Sequence, residues 1–538
     1  MNRSVRVLSW LILLVGLTAV GCAPTRRPMP DASMPVTDAS HAVSAAFTRA
    51  SAQPMFTHGY VAVSSRYIEP VDMAAFVVAG LDGLDRFDSR LDVEATADTV
   101  DVFLGDRRVA RFAKPEEDRG SDWARLSIDA IQAARAVSPP LAAADAEAIY
   151  DALFDSALAS LDPFSRYAGA AEARLNRGSR NGFGGIGILF TIRADGAVMV
   201  EEVVEGGPAA DAGLLAGDQI LAVDDVAFTR PDTDRVRERL RGPVGSVVHL
   251  SVVRGNGVLE VDLERGLIVM PTVKLSVEDG IATLRLSSFN QATTEGVAKA
   301  VQVARARAQA GEAVRGLILD MRGNPGGLLD QSVSVADLFL DHGTIVSTRG
   351  RHPEARQFYS ASAGDVSGGL PIVVLMDGDS ASAAEIVAAA LQDGGRAVVI
   401  GTTSYGKGTV QTVVQLPNGG EITLTWSRFH SPSGYVLHGL GVPPVACTSG
   451  RANQTAPGVV EGVLYDLRTH ADPIARRLSS WQHTAFEDIE RRRMLRNLCP
   501  AEHHEPNGLD EAVARRLLQD PSLYARAIGL VGANAAPR

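Results

Sequence analysis

The chain has 538 residues, 46% of them hydrophobic and 21% charged, which excludes intrinsic disorder, a polytopic membrane protein and a collagen-like repeat. At roughly 150 residues per domain it holds three or four domains rather than one small fold. The formal net charge of -11, with no long basic run, disfavours nucleic acid as a partner, and three cysteines exclude a disulfide-dense scaffold or a zinc cluster.

In chain order, Arg3 and Arg6 precede an uncharged run over residues 7–20, shorter than the ~20 residues a spanning helix needs. It reads as a secretory leader over 1–21. Ala19-Val20-Gly21-Cys22 resembles the lipobox of bacterial lipoproteins, although Ala19 stands where leucine is preferred. Lipidation of Cys22 and ordinary cleavage nearby both remain open, and both put the mature chain outside the cytoplasm. The first would tie it to a membrane through a lipid anchor. Residues 22–41, with Pro, Ser and Thr, read as a flexible tether. In an oxidising periplasm Cys447 and Cys499 are expected to pair, the alternative being two buried free thiols.

Residues 42–175 read as a mainly helical region interrupted by a strand hairpin over 101–111 that turns at Gly105-Asp106. From 176 to 270 the periodicity falls to two, with strands at 198–203 and 247–253 and one helix at 232–240. From 271 to 448 strands (281–286, 316–319, 372–375, 397–400) alternate with Ala-rich helices (293–310, 329–339, 382–392), as in an α/β core. A helical, Arg-rich extension fills 449–538. Gly182-Phe183-Gly184-Gly185-Ile186-Gly187 matches GxGxxG formally. No buried strand precedes it and no helix follows, so it is not a dinucleotide site.

Gly185-Ile186-Gly187-Ile188, Gly206-Gly207-Pro208-Ala209 and Gly217-Asp218-Gln219-Ile220-Leu221 resemble a PDZ domain. The resemblance implies that Gly185, Ile186, Gly187 and Ile188 present backbone N–H groups to the terminal carboxylate of a peptide, which adds as a strand. Further on, Asp379-Ser380-Ala381-Ser382-Ala383-Ala384-Glu385 lies at a strand-to-helix junction, and Tyr405-Gly406-Lys407-Gly408 follows the next strand. A lysine serves as general base when desolvation lowers its pKa, so a Ser/Lys dyad is chemically sound.

These segments, with Leu161-Asp162-Pro163-Phe164-Ser165, Asp320-Met321-Arg322-Gly323-Asn324-Pro325-Gly326-Gly327 and Gly439-Leu440-Gly441-Val442-Pro443-Pro444, resemble the C-terminal processing peptidases, PDZ-containing serine proteases of family S41. The resemblance covers about residues 125–445. It implies Ser382 rather than Ser380 as nucleophile, Lys407 as base at the family's separation of 25, and Gln411 holding the lysine. The oxyanion hole falls to Ala383 and to Gly326 or Gly327. No cofactor or metal is expected. Two departures are visible: Phe164 stands where the family has histidine, and Val445 where it has aspartate. The implied function is a periplasmic endopeptidase acting on unstructured tails with free apolar C-termini, with an adaptor or homo-oligomer as possible further partners. A catalytically silent PDZ scaffold and a hydrolase of small acyl substrates are the alternatives.

Overall fold

The computed structural model describes residues 46–115, 119–229, 232–310, 314–451, 454–505 and 508–532. The expected leader, Cys22 and the tether lie outside them. Among the described residues no helix is long and apolar enough to cross a membrane.

The N-terminal region packs helices Arg49–Arg66, Met73–Asp82, Gly120–Arg135 and Ala146–Ala159 around an aromatic centre of Phe56, Tyr60, Phe76 and Phe154. Caps set the helix starts, as where Asp145 accepts from Ala148 N at 2.8 Å. The expected hairpin forms from Thr99–Leu104 and Arg107–Ala113, with Gly105 at φ +59° in its turn. A third strand, Leu91–Ala95, extends it. The segment Arg166–Ala168 then leaves this region and pairs with a strand of the α/β core, Glu421–His430. Tyr167, Ile422 and Leu424 share the N-terminal region's apolar cluster, so the two parts are continuous.

The PDZ-type module is a sheet ordered Gly257–Glu264, Val247–Arg254, Gln219–Val223, Val198–Val203, Ile188–Ile192. Its helix Thr233–Leu240 buries Val236 and Leu240. Chain entry and exit are zipped together, Phe183–Gly185 pairing with Gly266–Ile268.

The core sheet runs Val273–Glu278, Ile281–Leu286, Gly316–Asp320, Ile372–Met376, Ala397–Gly401, Ala446–Cys447. All but the first pairing are parallel. Parallel strands need cover on both faces, and the side chains divide with period two. Leu317, Leu319, Val374 and Val399 face the layer containing helices Thr293–Gln309, Leu329–Asp337 and Ala383–Asp393. Ile318, Val373, Leu375, Val398 and Ile400 face Val463, Leu467, Val513 and Leu517 of the C-terminal extension. The extension is therefore one layer of a three-layer core. Its middle is joined to the sheet by a Cys447–Cys499 disulfide, with Cα atoms 6.0 Å apart. A second sheet, ordered Gln357–Ser360, Thr344–Arg349, Glu421–His430, Thr409–Gln415, completes the core.

Candidate active site

Strand Ile372–Met376 ends at Asp377, whose carboxylate accepts from Gly323 N (2.8 Å), Ser380 N (3.0 Å) and Ser380 Oγ (2.8 Å). Ser380 is fully buried and its hydroxyl is occupied, its single proton shared between the Asp377 carboxylate and the Met321 carbonyl. Ser382 is partly exposed and opens helix Ala383–Asp393 at φ +55°, a left-handed conformation that costs a non-glycine residue roughly 1–2 kcal/mol. Strain of this kind persists only where neighbours over-determine it, and it concentrates at functional sites. Here Glu385, one turn on, accepts from Ser382 N at 2.7 Å.

The Asn-Pro-Gly-Gly loop packs directly against this junction. A side chain on Gly326 (φ +98°) would place its Cβ 2.8 Å from Ser382 Cβ, and one on Gly327 (φ +148°) would strike the Phe289 carbonyl at 2.0 Å. Asn324 clamps the loop, its carbonyl accepting from Ala381 N and its side-chain oxygen from Gly326 N, both at 2.9 Å. That occupies the Gly326 N–H. The Ala383 and Gly327 N–H groups have no acceptor among the described residues and remain free to meet a developing oxyanion.

The Ser382 segment and the Lys407 segment meet on one carboxylate. Glu385 is fully buried and also accepts from Ser404 Oγ, Gly406 N (2.7 Å) and Lys407 N (2.9 Å). Burial pushes its pKa up, and these four donors oppose that. Lys407 is held below the ordinary lysine value of 10.5, first by burial and then by the Arg166 cation, against attraction from Glu385 and Asp162. No hydrogen bond links Lys407 Nζ to Ser382 Oγ among the described residues. The ammonium instead lies 5.2 Å from the centre of the Phe164 ring. Gln411 does not reach the lysine either, its amide nitrogen donating to Thr409 Oγ1 (2.9 Å) and Thr425 Oγ1 (3.4 Å).

Residues that the sequence left unassigned complete the surroundings. Asp162 builds the turn carrying Phe164, accepting from Phe164 N (2.7 Å) and Ser165 Oγ (2.7 Å), and ties it to the core through Thr425 Oγ1 (3.1 Å). From the extension, Arg496 donates to the carbonyls of Ser404 (3.2 Å) and Leu440 (2.8 Å), and Arg492 to that of Val436 (2.9 Å). The Asp-Pro-Phe-Ser match was the available signal for Asp162; nothing in the sequence marked the arginines. Asp377, Asp379 and His503 place ligand-type atoms within 4.8 Å of one another. Asp377 is already engaged as above, and His503 pairs with Asp379 (2.8 Å) and Glu505 (3.2 Å), so the group reads as a clasp between loop and extension.

In the PDZ-type module the Gly182–Gly187 stretch is extended rather than a strand-to-helix turn, in keeping with its dismissal as a nucleotide site. Gly187 sits at φ +80°, and its carbonyl accepts from Val204 N at 2.9 Å while that of Ile186 accepts from Ala209 N at 2.8 Å. The Ile186 and Gly187 N–H groups have no acceptor among the described residues. They adjoin Ile188–Ile192, the edge strand of the sheet.

A serine on a strained strand-to-helix junction, a desolvated lysine and an edge-strand module define a PDZ-bearing serine peptidase. A model of peptidase family S41 matches residues 280–445, and one of the PDZ domain matches 199–254. The chain is 40% identical over 304 residues to a carboxy-terminal-processing protease of Bartonella bacilliformis, covering 56% of this chain and 69% of that protein. It is 32% identical over 349 residues to the carboxyl-terminal-processing protease of Synechocystis, covering 62% of this chain and 80% of that protein. The chain belongs to the carboxyl-terminal-processing proteases of peptidase family S41.

Proposed function

We propose that this enzyme is a cell-envelope endopeptidase, acting on the periplasmic side and lipid-anchored through Cys22, that takes unstructured tails by their free C-termini and cuts them by a Ser382/Lys407 dyad. One observation carries the catalytic reading: a single buried carboxylate, Glu385, accepts from the backbone of both the strained Ser382 and Lys407.

In the reaction Lys407 leaves Phe164 and, neutral, accepts the Ser382 Oγ proton as that oxygen attacks the scissile carbonyl. The oxyanion takes the Ala383 and Gly327 N–H groups. The lysine ammonium then gives its proton to the leaving amine, and water, deprotonated by Lys407, releases the acyl group from Ser382. Gln411 Oε1 accepts no hydrogen bond among the described residues and is the acceptor assigned to the engaged lysine. The Ile186 and Gly187 N–H groups receive the terminal carboxylate while the tail pairs with Ile188–Ile192. The intermediate burial of Ile188, Phe190 and Ile192 against the module's core suits apolar residues at the tail's end.

The test is cleavage of an unstructured reporter ending in apolar residues. Ser382→Ala and Lys407→Ala are expected to lower kcat/KM by about 10⁴-fold or more with thermal unfolding nearly unchanged, since neither side chain packs a core. Wild-type kcat/KM should rise with pH to a limb below 10.5, because only neutral Lys407 accepts the proton. Full activity of Lys407→Ala overturns the dyad, and an inert wild type leaves the binding-only scaffold. Amidating the reporter's terminus removes a charge-assisted hydrogen-bond acceptor and should cost about 10- to 100-fold. Equal cleavage of free and amidated reporters overturns the carboxylate reading alone. Radiolabelled palmitate in a Cys22→Ser chain, against wild type, tests the anchor.

A further inference from the structure

We infer that Phe164 is a positioning residue that seats the Lys407 ammonium away from Ser382 at rest, and so sets the pH at which the lysine becomes available as a base. The inference rests on Lys407 being the base, and its test separates the two.

The ammonium has no hydrogen-bond acceptor among the described residues, and the ring centre at 5.2 Å lies within the ~6 Å over which an aromatic face attracts a cation. Other charged groups offer it no better seat. Arg166, on the same N-terminal segment as Phe164, repels it, and Asp162 binds the turn instead of the lysine. Glu385, on the nucleophile helix, has its oxygens taken by four donors. From the 436–441 loop His438 meets the Phe164 ring edge-on at 5.9 Å, and burial together with the Arg428 and Arg492 cations keeps it below the usual histidine range. Those two arginines lie over Phe486, with guanidinium carbons 4.8 and 5.4 Å from its centre, rather than over Phe164. From the extension, Arg496 is spent on backbone carbonyls.

The seat is also fixed in place. The Asp162 turn fastens Phe164 to Thr425, and Thr425 accepts from Gln411, so ring and glutamine belong to one connected group. Here phenylalanine differs in kind from the histidine expected at this position. A benzene ring has no lone pair for a neutral amine to use and attracts only its charged form. Phe164 therefore favours protonated, parked Lys407, against the burial and the Arg166 charge that favour the neutral base.

The experiment is the pH profile of reporter kcat/KM for wild type, Phe164→Leu, Phe164→Tyr and Phe164→Trp, with unfolding temperature followed in parallel. Leucine removes the attraction, so the acid limb should move down by about half a pH unit, raising the rate below the limb about threefold. Tryptophan, the strongest aromatic face, should move it up by a similar amount, and tyrosine should restore the wild-type profile. A limb that stays put in both the leucine and tryptophan variants, or moves the same way in both, overturns the inference. If Phe164→Leu fails to fold, the tryptophan-against-tyrosine comparison decides alone. Full activity of Lys407→Ala would instead sink the base assignment beneath it.

Discussion

Glu385→Ala is expected to abolish cleavage as thoroughly as Ser382→Ala, and unlike Ser382→Ala to lower the unfolding temperature by several degrees. The carboxylate is fully buried and is the acceptor for Ser382 N, Ser404 Oγ, Gly406 N and Lys407 N. Truncation leaves three backbone N–H groups facing one another without an acceptor, each costing about 1–3 kcal/mol when buried. It also removes the carboxylate whose charge stabilises the half-buried Arg496 guanidinium. The catalytic loss follows from the geometry: among the described residues no other side chain holds the N–H of the left-handed Ser382, and relaxing that φ moves Oγ away from the proposed oxyanion donors. Glu385→Gln keeps one oxygen but turns an NH₂ toward N–H donors, so it should lie between the two. Reporter cleavage and calorimetry on the three variants check this. Activity of Glu385→Ala within tenfold of wild type would show that the two loops are held elsewhere.

The parts of this architecture legible in the sequence are those where one local signal suffices. The core strands read correctly because they are short apolar runs cut off by Gly, Pro or Asp, as at Ile372–Met376 before Asp377-Gly378. Ser382 and Lys407 were singled out in the sequence because the segments around them resemble the family's motifs, and those segments carry the small residues that this crowded junction requires. Strand Leu91–Ala95 was missed because its short alternation, which buries only Leu91 and Val93, continues directly from a helical stretch. The resting place of Lys407 was illegible for a different reason. It depends on a side-chain choice between Ser382 and a ring contributed by a remote segment, and nothing local to Tyr405-Gly406-Lys407-Gly408 encodes it. Arg492 and Arg496 read as an Arg-rich helix since their acceptors are main-chain carbonyls, which carry no residue identity.

A chain ended at residue 448, just past the segment that the family model matches, is expected to be insoluble and inactive rather than a minimal protease. Ile318, Val373, Leu375, Val398 and Ile400 are fully buried, and their cover on that face of the sheet is the extension. Exposing them costs roughly 1.5–3 kcal/mol per side chain, about 10 kcal/mol together, which is comparable to the whole stability of a typical domain. The same cut removes the Glu502 carbonyl that accepts from Gly378 N (2.7 Å), the Cys499 carbonyl that accepts from Thr403 Oγ1 (2.6 Å), and Arg496 behind Ser404. The loops that carry Ser382 and Lys407 would lose their backing even if the sheet survived. Replacing both Cys447 and Cys499 by serine is the milder comparison. It keeps every apolar contact and releases only a closed loop of 52 residues, worth about 4 kcal/mol in chain entropy, so that variant should fold, unfold at lower temperature and retain activity at 25 °C. Solubility, calorimetry and reporter cleavage of the two proteins side by side check the claim. A soluble, active 448-residue chain with a cooperative unfolding transition would show that the extension is an appendage and that the exposed face is covered in some other way.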